Sequence, residues 1–296
     1  MPSAAPTNPV FRFAPSPNGN LHLGHALSAI LNAEMAAASN GRFLLRMEDI
    51  DLARCKPEFE QAIYDDLNWL GLNWEMPVRR QSDHVKVYAG ALDRLKAKGL
   101  VYPAFMSRGD VKRLVANAES AGRIWPRDPD GAPLYPSHDK GLSAEERATR
   151  LARGEKHVWR LDMEKALAGL TTPLTFEETG ETHKGTIVAE PGLWGDVMLW
   201  RFDAPSSYHL SVSVDDAAQG VTHVVRGLDL YPSTDVHRLL QHILGLPVPL
   251  YHHHRLIMDN EGNKLSKSDR ATGIRALRNE GITTAALRSM IGFRAA

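Results

Sequence analysis

Two histidines flank a Leu-Gly pair, His22-Leu23-Gly24-His25, directly after the turn-rich stretch Pro15-Ser16-Pro17-Asn18-Gly19-Asn20. The run Leu27, Ile30, Leu31 and Met35 that follows has helical spacing, so a helix starts near Gly24. A helix N-terminus carries unpaired N–H groups and partial positive charge, which suits a phosphate. Gly24 leaves room for a flat base or phosphate near the backbone, and His22 and His25 add two donors. Near the other end, Lys264-Leu265-Ser266-Lys267-Ser268 follows the turn Asn260-Glu261-Gly262-Asn263. Two ammonium groups beside two hydroxyls could grip a polyphosphate and neutralise charge that builds as it is cleaved. Alone, the second string is a solvated basic loop, whereas the first, which could be a mere helix start with surface histidines, gains weight from its place after the first strand. Their joint presence points to a triphosphate site.

The elements around these strings are those of an α/β protein. Val10-Phe11-Arg12-Phe13 is a short buried strand, and Phe43-Leu44-Leu45-Arg46-Met47 is a second strand ending in the acids Glu48-Asp49-Ile50-Asp51. Strand, loop, helix, strand is the minimal βαβ unit of a parallel sheet. Helices follow from Pro57 (Phe59, Ile63, Leu67, Leu70) and from about His84 (Val85, Tyr88, Leu92, Leu95, stopping at Gly99). Ser107 and Asp110 form a capping box for a third. Residues 124–143 read as a long loop. Short β runs are expected at 157–161, 186–189, 197–202, 208–214 and 221–226. A helix from Ser233 to Gly245 and a strand at 251–258 complete the pattern. The expected layout is residues 1–99 as the first half of an α/β domain and 100–190 as a smaller α+β insertion. The second half then spans 191–268, and 269–296 form a short helical tail.

Composition narrows the function. With 43% hydrophobic and 24% charged residues the 296-residue chain is an ordinary folded protein of about two domains. Lys+Arg and Asp+Glu are equal at 35 each, which argues against coating nucleic acid by charge alone while leaving a local basic groove possible. The single cysteine, Cys55, excludes a disulfide and a Cys-rich zinc cage. The N-terminal ten residues lack a secretory signal, and the most apolar helix is broken by Asn32 and Glu34, so the expected setting is the cytoplasm, away from membranes.

The two strings, in this order, resemble the HIGH and KMSKS signatures of class I aminoacyl-tRNA synthetases. Arg12-Phe13-Ala14-Pro15-Ser16-Pro17, Arg46-Met47-Glu48-Asp49-Ile50-Asp51, Tyr208-His209-Leu210 through Val214-Asp215-Asp216, and Val224-Val225-Arg226-Gly227 are similar to glutamyl-tRNA synthetases. The resemblance implies a Rossmann-type parallel-sheet catalytic domain interrupted by an acceptor-binding insertion. Only 28 residues follow Ser268, where full-length members continue into an anticodon-binding domain. In that, and in the apolar Val212, the chain resembles the shortened glutamyl-Q group. Its members activate glutamate without tRNA and esterify the queuosine of the tRNA-Asp anticodon.

The resemblance assigns roles by position. His22, His25 and Lys267 are the catalytic contacts to the phosphates, with Gly24 and Lys264 also at ATP, which arrives with Mg²⁺. Arg226 and Arg12 suit the glutamate side-chain carboxylate, which a guanidinium can grip as a fork. Glu48 suits the α-ammonium and the Tyr208 hydroxyl adds a directional bond. Phe13, Ala14, Pro15 and Ser16 line the pocket. Taken singly, Arg12 or Glu48 would be an ordinary ion-pair member, whereas Arg226 stands at a strand end before Gly227, where open α/β sheets place ligands. Many glutamyl-Q members hold zinc in the insertion; the matching positions here are Ala104, Met106, Tyr135 and Asp139, a poor donor set, so no structural zinc is expected. Two further readings stay open: a shortened enzyme charging tRNA-Glu, and a catalytically silent RNA-binding paralogue. A weaker third is a ligase passing the adenylate to a small amine. Monomer is the default state.

Overall fold

The computed structural model describes residues 8–258 and 273–293. The first half contains β1 (Val10–Phe13), α1 (Leu23–Ala38), β2 (Arg42–Met47), α2 (Pro57–Trp69), β3 (Glu75–Arg80) and α3 (Val85–Ala97). Next come β4 (Val101–Ala104), α4 (Arg108–Ser120), α5 (Ala144–Ala152), β5 (Val158–Leu161), α6 (Met163–Ala168), β6 (Thr175–Glu178), β7 (Gly185–Val188) and β8 (Met198–Trp200). The last part holds α7 (Tyr208–Ala218), β9 (His223–Gly227), α8 (Ser233–Leu244), β10 (Leu250–His254), α9 (Ile274–Asn279) and α10 (Thr284–Met290).

Seven strands form one sheet in the order β3-β2-β1-β9-β10-β6-β7, parallel throughout except for the β6–β7 hairpin at its edge. The chain winds outward from β1 to β2 and β3, then returns to place β9 on the other side of β1. The strand order therefore reverses between β1 and β9, and crevices at such a reversal open at the carboxyl ends of the strands. A second, antiparallel sheet, β4-β5-β8, stands apart from the first. Segment 100–190 thus feeds both sheets, with β4 and β5 in the small one and β6 and β7 in the large one. No helix among the described residues is long and apolar enough to cross a membrane.

Side chains alternate across a strand, and this sorts the sheet into two faces. Phe11, Phe13, Phe43, Leu45 and Val225 join Leu27 and Ile30 of α1 in one core, while Val10, Leu44, Val224 and Tyr251 join Leu239 and Leu240 of α8 in the other. Each such side chain contributes about 1.5–3 kcal/mol by leaving water. The same alternation carries Arg12, Arg46, Arg226 and His253 onto the second face at the strand ends. The register sets His253 beside Arg226 across β9 and β10.

One expectation fails clearly. The stretch 208–214, Tyr-His-Leu-Ser-Val-Ser-Val, alternates like a strand but forms the start of α7. Ser207 caps this helix by accepting the Leu210 N–H, and every residue from Leu210 to Asp216 is buried. A helix buried all round has no polar face to reveal its period. Its serines are satisfied inside it, Ser211 and Ser213 donating to the carbonyls of Ser207 and His209 at 2.8 Å each. The strand expected over 251–258 is shorter, since β10 ends at His254, and β3 and β6 come without warning from the sequence.

Candidate active site

The loop after β1 and the start of α1 are built around the two histidines. His22 is the N-cap, its Nδ1 accepting the Gly24 N–H at 3.1 Å, while the Nδ1 of His25 accepts the His22 N–H at 3.2 Å. With Nδ1 accepting, the proton of each neutral imidazole sits on Nε2, which makes that nitrogen a donor suited to a phosphate oxygen. The rings lie 3.9 Å apart by centroid. Gly24 has an immediate reason to be glycine: a Cβ there would come within 3.0–3.1 Å of the His22 ring. The Ser16 hydroxyl donates to the Glu48 carbonyl at 2.8 Å, and the Glu48 N–H donates to the Pro15 carbonyl at 3.0 Å. These bonds pin the loop to the end of β2.

A cavity of about 530 Å³ opens at the carboxyl ends of β1 and β9. It is lined by Arg12, Phe13, Ala14, Pro15, Ser16, His22, Gly24, His25, Glu48, Tyr208 and Arg226, so every candidate within the described residues faces one space. Lys264 and Lys267 lie outside the described residues. The wall also includes Asp229, His254 and Arg255, which sequence reasoning did not single out.

The cationic groups beside this cavity differ in what they already hold. Arg12 donates from Nε to Asp216 at 3.0 Å. Arg46, fully buried, donates to Asp216 at 2.8 Å, to Gln219 at 3.0 Å and to Glu48 at 3.3 Å. Asp215 behind them is met by Arg79 at 2.8 Å, Gln81 at 3.0 Å and the Tyr88 hydroxyl at 2.9 Å. Burial would raise the carboxyl of Asp216, yet Arg12 and Arg46 hold it below the usual range. For Glu48 burial wins over the pull of Arg46 and Arg12, and its carboxyl titrates above the usual value.

Arg226 is different. It is 5% exposed, and its hydrogen-bond partners are His253, Tyr208, His237 and Thr234, all uncharged acceptors. Among the described residues no carboxylate comes within ion-pair distance of it. Burying a cation without a counter-charge is costly, and a carboxylate entering the cavity would remove that cost.

The four positions matched to zinc ligands do converge, as a hydrogen-bonded cluster. Ala104 and Met106 pack against Tyr135 in a small apolar cluster with Tyr102. The Tyr135 hydroxyl donates to the Asp139 carboxylate, which also accepts the Phe105 N–H at 2.9 Å, and the Arg160 guanidinium lies 4.0 Å over the Tyr135 ring. Alanine brings no donor, and the only carboxylate is occupied by Tyr135 and the backbone, so this set does not fit zinc. Among the described residues no group of three or more His, Cys, Asp or Glu is arranged to hold a metal ion.

Sequence reasoning gave no role to Thr234, His237 or His253, which surround Arg226, or to Glu178, which holds His253 from behind. The available signal was the strand period: Tyr251 and His253 share the face of Val224 and Arg226. His237 had none, since α8 buries nine of its twelve residues and its apolar stripe hides a polar member.

Residues 10–295 match the family described as tRNA synthetases class I (E and Q), catalytic domain. The chain is 48% identical over 289 residues to a Rhodobacter capsulatus protein named glutamyl-Q tRNA(Asp) synthetase, covering 96% of this chain and 99% of that one. It is 37% identical to a Methylobacterium protein named glutamate–tRNA ligase 2, covering 95% of this chain but 59% of the relative. The crystal structure of a glutamate-tRNA synthetase from Elizabethkingia anophelis superposes with a TM-score of 0.75 at 27% identity over 93% of this chain and 54% of that one. A glutamate tRNA ligase from Elizabethkingia meningosepticum, solved with its amino acid, gives 0.73 at 28% over 88% of this chain and 52% of that one. The chain thus spans about half the length of these solved relatives.

Proposed function

The chain belongs to the class I tRNA synthetases for glutamate and glutamine and is a ligase of that type, and from this premise we propose that it activates L-glutamate with ATP, without tRNA, and transfers it to the queuosine of the tRNA-Asp anticodon. The observation that carries the amino acid is Arg226, a buried cation in a cavity wall whose partners among the described residues are all neutral. The γ-carboxylate of glutamate supplies the missing charge there, and Glu48 receives the α-ammonium. Tyr208 adds a hydroxyl beside Arg226, 3.2 Å away. Arg12, already bonded to Asp216, shapes the pocket and adds positive potential.

In this reading the α-carboxylate attacks the α-phosphorus of ATP, forming the Cα-carboxyl–phosphate bond while the bond to pyrophosphate breaks. No protein nucleophile is needed, and the residues act by positioning and charge stabilisation. The α1 N-terminus with His22 and His25 takes the phosphates, Gly24 keeps the approach open, and Lys264 and Lys267 supply further positive charge to them. Mg²⁺ travels with ATP, held mainly by phosphate oxygens and water. The acceptor rests on the Rhodobacter capsulatus relative, whose name states glutamyl-Q and tRNA(Asp). The setting that goes with such a substrate is the cytoplasm.

The test is to incubate the chain with ATP, labelled glutamate and tRNA-Asp with or without queuosine, alongside tRNA-Glu. Label confined to the queuosine-containing tRNA-Asp is the expected result. Label on tRNA-Glu would replace the acceptor, and failure of glutamate-dependent ATP–pyrophosphate exchange without RNA would remove the activation step.

A further inference from the structure

Arg226 is gripped from three elements. His253 of β10 accepts from its Nε at 3.0 Å, Tyr208 of α7 from Nη1 at 3.2 Å, and α8 contributes His237 Nδ1 at 3.1 Å and Thr234 Oγ1 at 2.7 Å. An imidazole nitrogen that accepts from a guanidinium carries no proton, so the other ring nitrogen must. In His253 that is Nδ1, which lies 2.5 Å from Glu178 Oε2. The other oxygen of Glu178 accepts the N–H groups of His253 at 3.0 Å and Gly180 at 2.7 Å. A Cβ on Gly180 would stand 2.6 Å from the His253 carbonyl, so only glycine lets this turn close on the carboxylate. In His237 the proton is on Nε2, 3.2 Å from His209 Nδ1. Glu178 is therefore kept one imidazole away from the guanidinium, and its charge does not meet Arg226 directly.

We propose that His237 and His253, the latter set by Glu178, are specificity-determining positioning residues. They fix the Arg226 guanidinium through hydrogen bonds that leave its charge uncancelled, so only a substrate bringing its own side-chain carboxylate completes the site. This rests on the glutamate reading above and adds how glutamate is told from glutamine. Arg12 is the internal contrast, since a carboxylate already sits 3.0 Å from it. Burial, reinforced by Arg226, pushes His253 down to about 4 and His237 well below the ordinary imidazole value, so both stay neutral acceptors at working pH. A site that must pair a substrate charge discriminates strongly against the isostere lacking it.

The experiment compares His237→Asn with His237→Asp, which place a neutral or a charged oxygen where Nδ1 stood. ATP–pyrophosphate exchange is measured with L-glutamate and with L-glutamine. The Asp variant is expected to lower the glutamate-to-glutamine ratio of kcat/KM by about 10²-fold, and the Asn variant to keep it within about fivefold. An unchanged ratio in the Asp variant, or equal loss in both, overturns the proposal. Glu178→Gln provides a second arm that holds if the buried aspartate prevents folding. It is expected to raise the KM for glutamate about tenfold while kcat and the KM for ATP stay within about twofold. A lowered melting point with no change in that KM would make Glu178 merely structural and overturn its part. A wild-type chain inactive with both amino acids overturns the functional reading and this inference with it. A wild type active on glutamate whose Asp variant keeps its preference overturns the inference alone.

Discussion

Two sets of cations end the strands of the large sheet, and they are treated in opposite ways. Arg12 and Arg46, on β1 and β2, share Asp216, and Arg46 also reaches Glu48 and stands 3.9 Å from Asp215. Arg226, on β9 next door, meets among the described residues only a phenol, a hydroxyl and two imidazoles. The first set is closed on itself and holds α7 against the sheet. The second leaves a charge unanswered at a cavity wall. Removing a member of a closed set exposes buried partners and costs stability, whereas removing the open one costs binding.

The contrast can be broken at its strongest point first. Arg46→Ala takes one of the two guanidinium partners from buried Asp216 and leaves the cluster with excess negative charge, and is expected to cost about 3 kcal/mol of stability, read from urea unfolding. Arg226→Ala leaves no buried carboxylate behind and is expected to fold, yet to lose glutamate activation by at least about 10²-fold in ATP–pyrophosphate exchange. Normal exchange in that variant would dissolve the distinction between the two sets. The smallest effect lies away from the site, at a carboxylate that belongs to neither. Asp66 of α2 is fully buried, with Arg278 of α9 only as near as 3.7 Å, and burial raises its carboxyl to about 6. Its folded-state value exceeds the unfolded one of about 3.9, so the folded protein holds the proton longer and stability declines as pH rises from about 4 to 6. Asp66→Asn should therefore raise the melting point most above pH 6, with the gain vanishing toward pH 4.

Legibility in the sequence followed burial pattern. Strands β1, β2 and β9 stood out as short apolar runs between turn residues, and α1 and α8 by their stripes. The helix α7 did not, because a helix buried on every side shows no face and its serines imitate strand alternation. The edge strand β3 and the short inner strand β6 escaped notice too: β3 contains Pro77 and three exposed residues, and β6 is four residues long. Missing β6 meant missing Glu178, the residue that sets His253.

What the sequence determined by itself was local: the turn before α1, the pair of histidines at its N-terminus, and the strand ends that carry arginines. It also supplied the residue types that the proposed glutamate site calls for. Only the tertiary structure decided which arginine is open and which is closed. That depends on α7 and α8 delivering Asp216, His237 and Thr234 to particular strand ends, over separations of up to 204 residues. A guanidinium has the same charge everywhere in the chain, and its task is fixed by the groups that folding brings beside it.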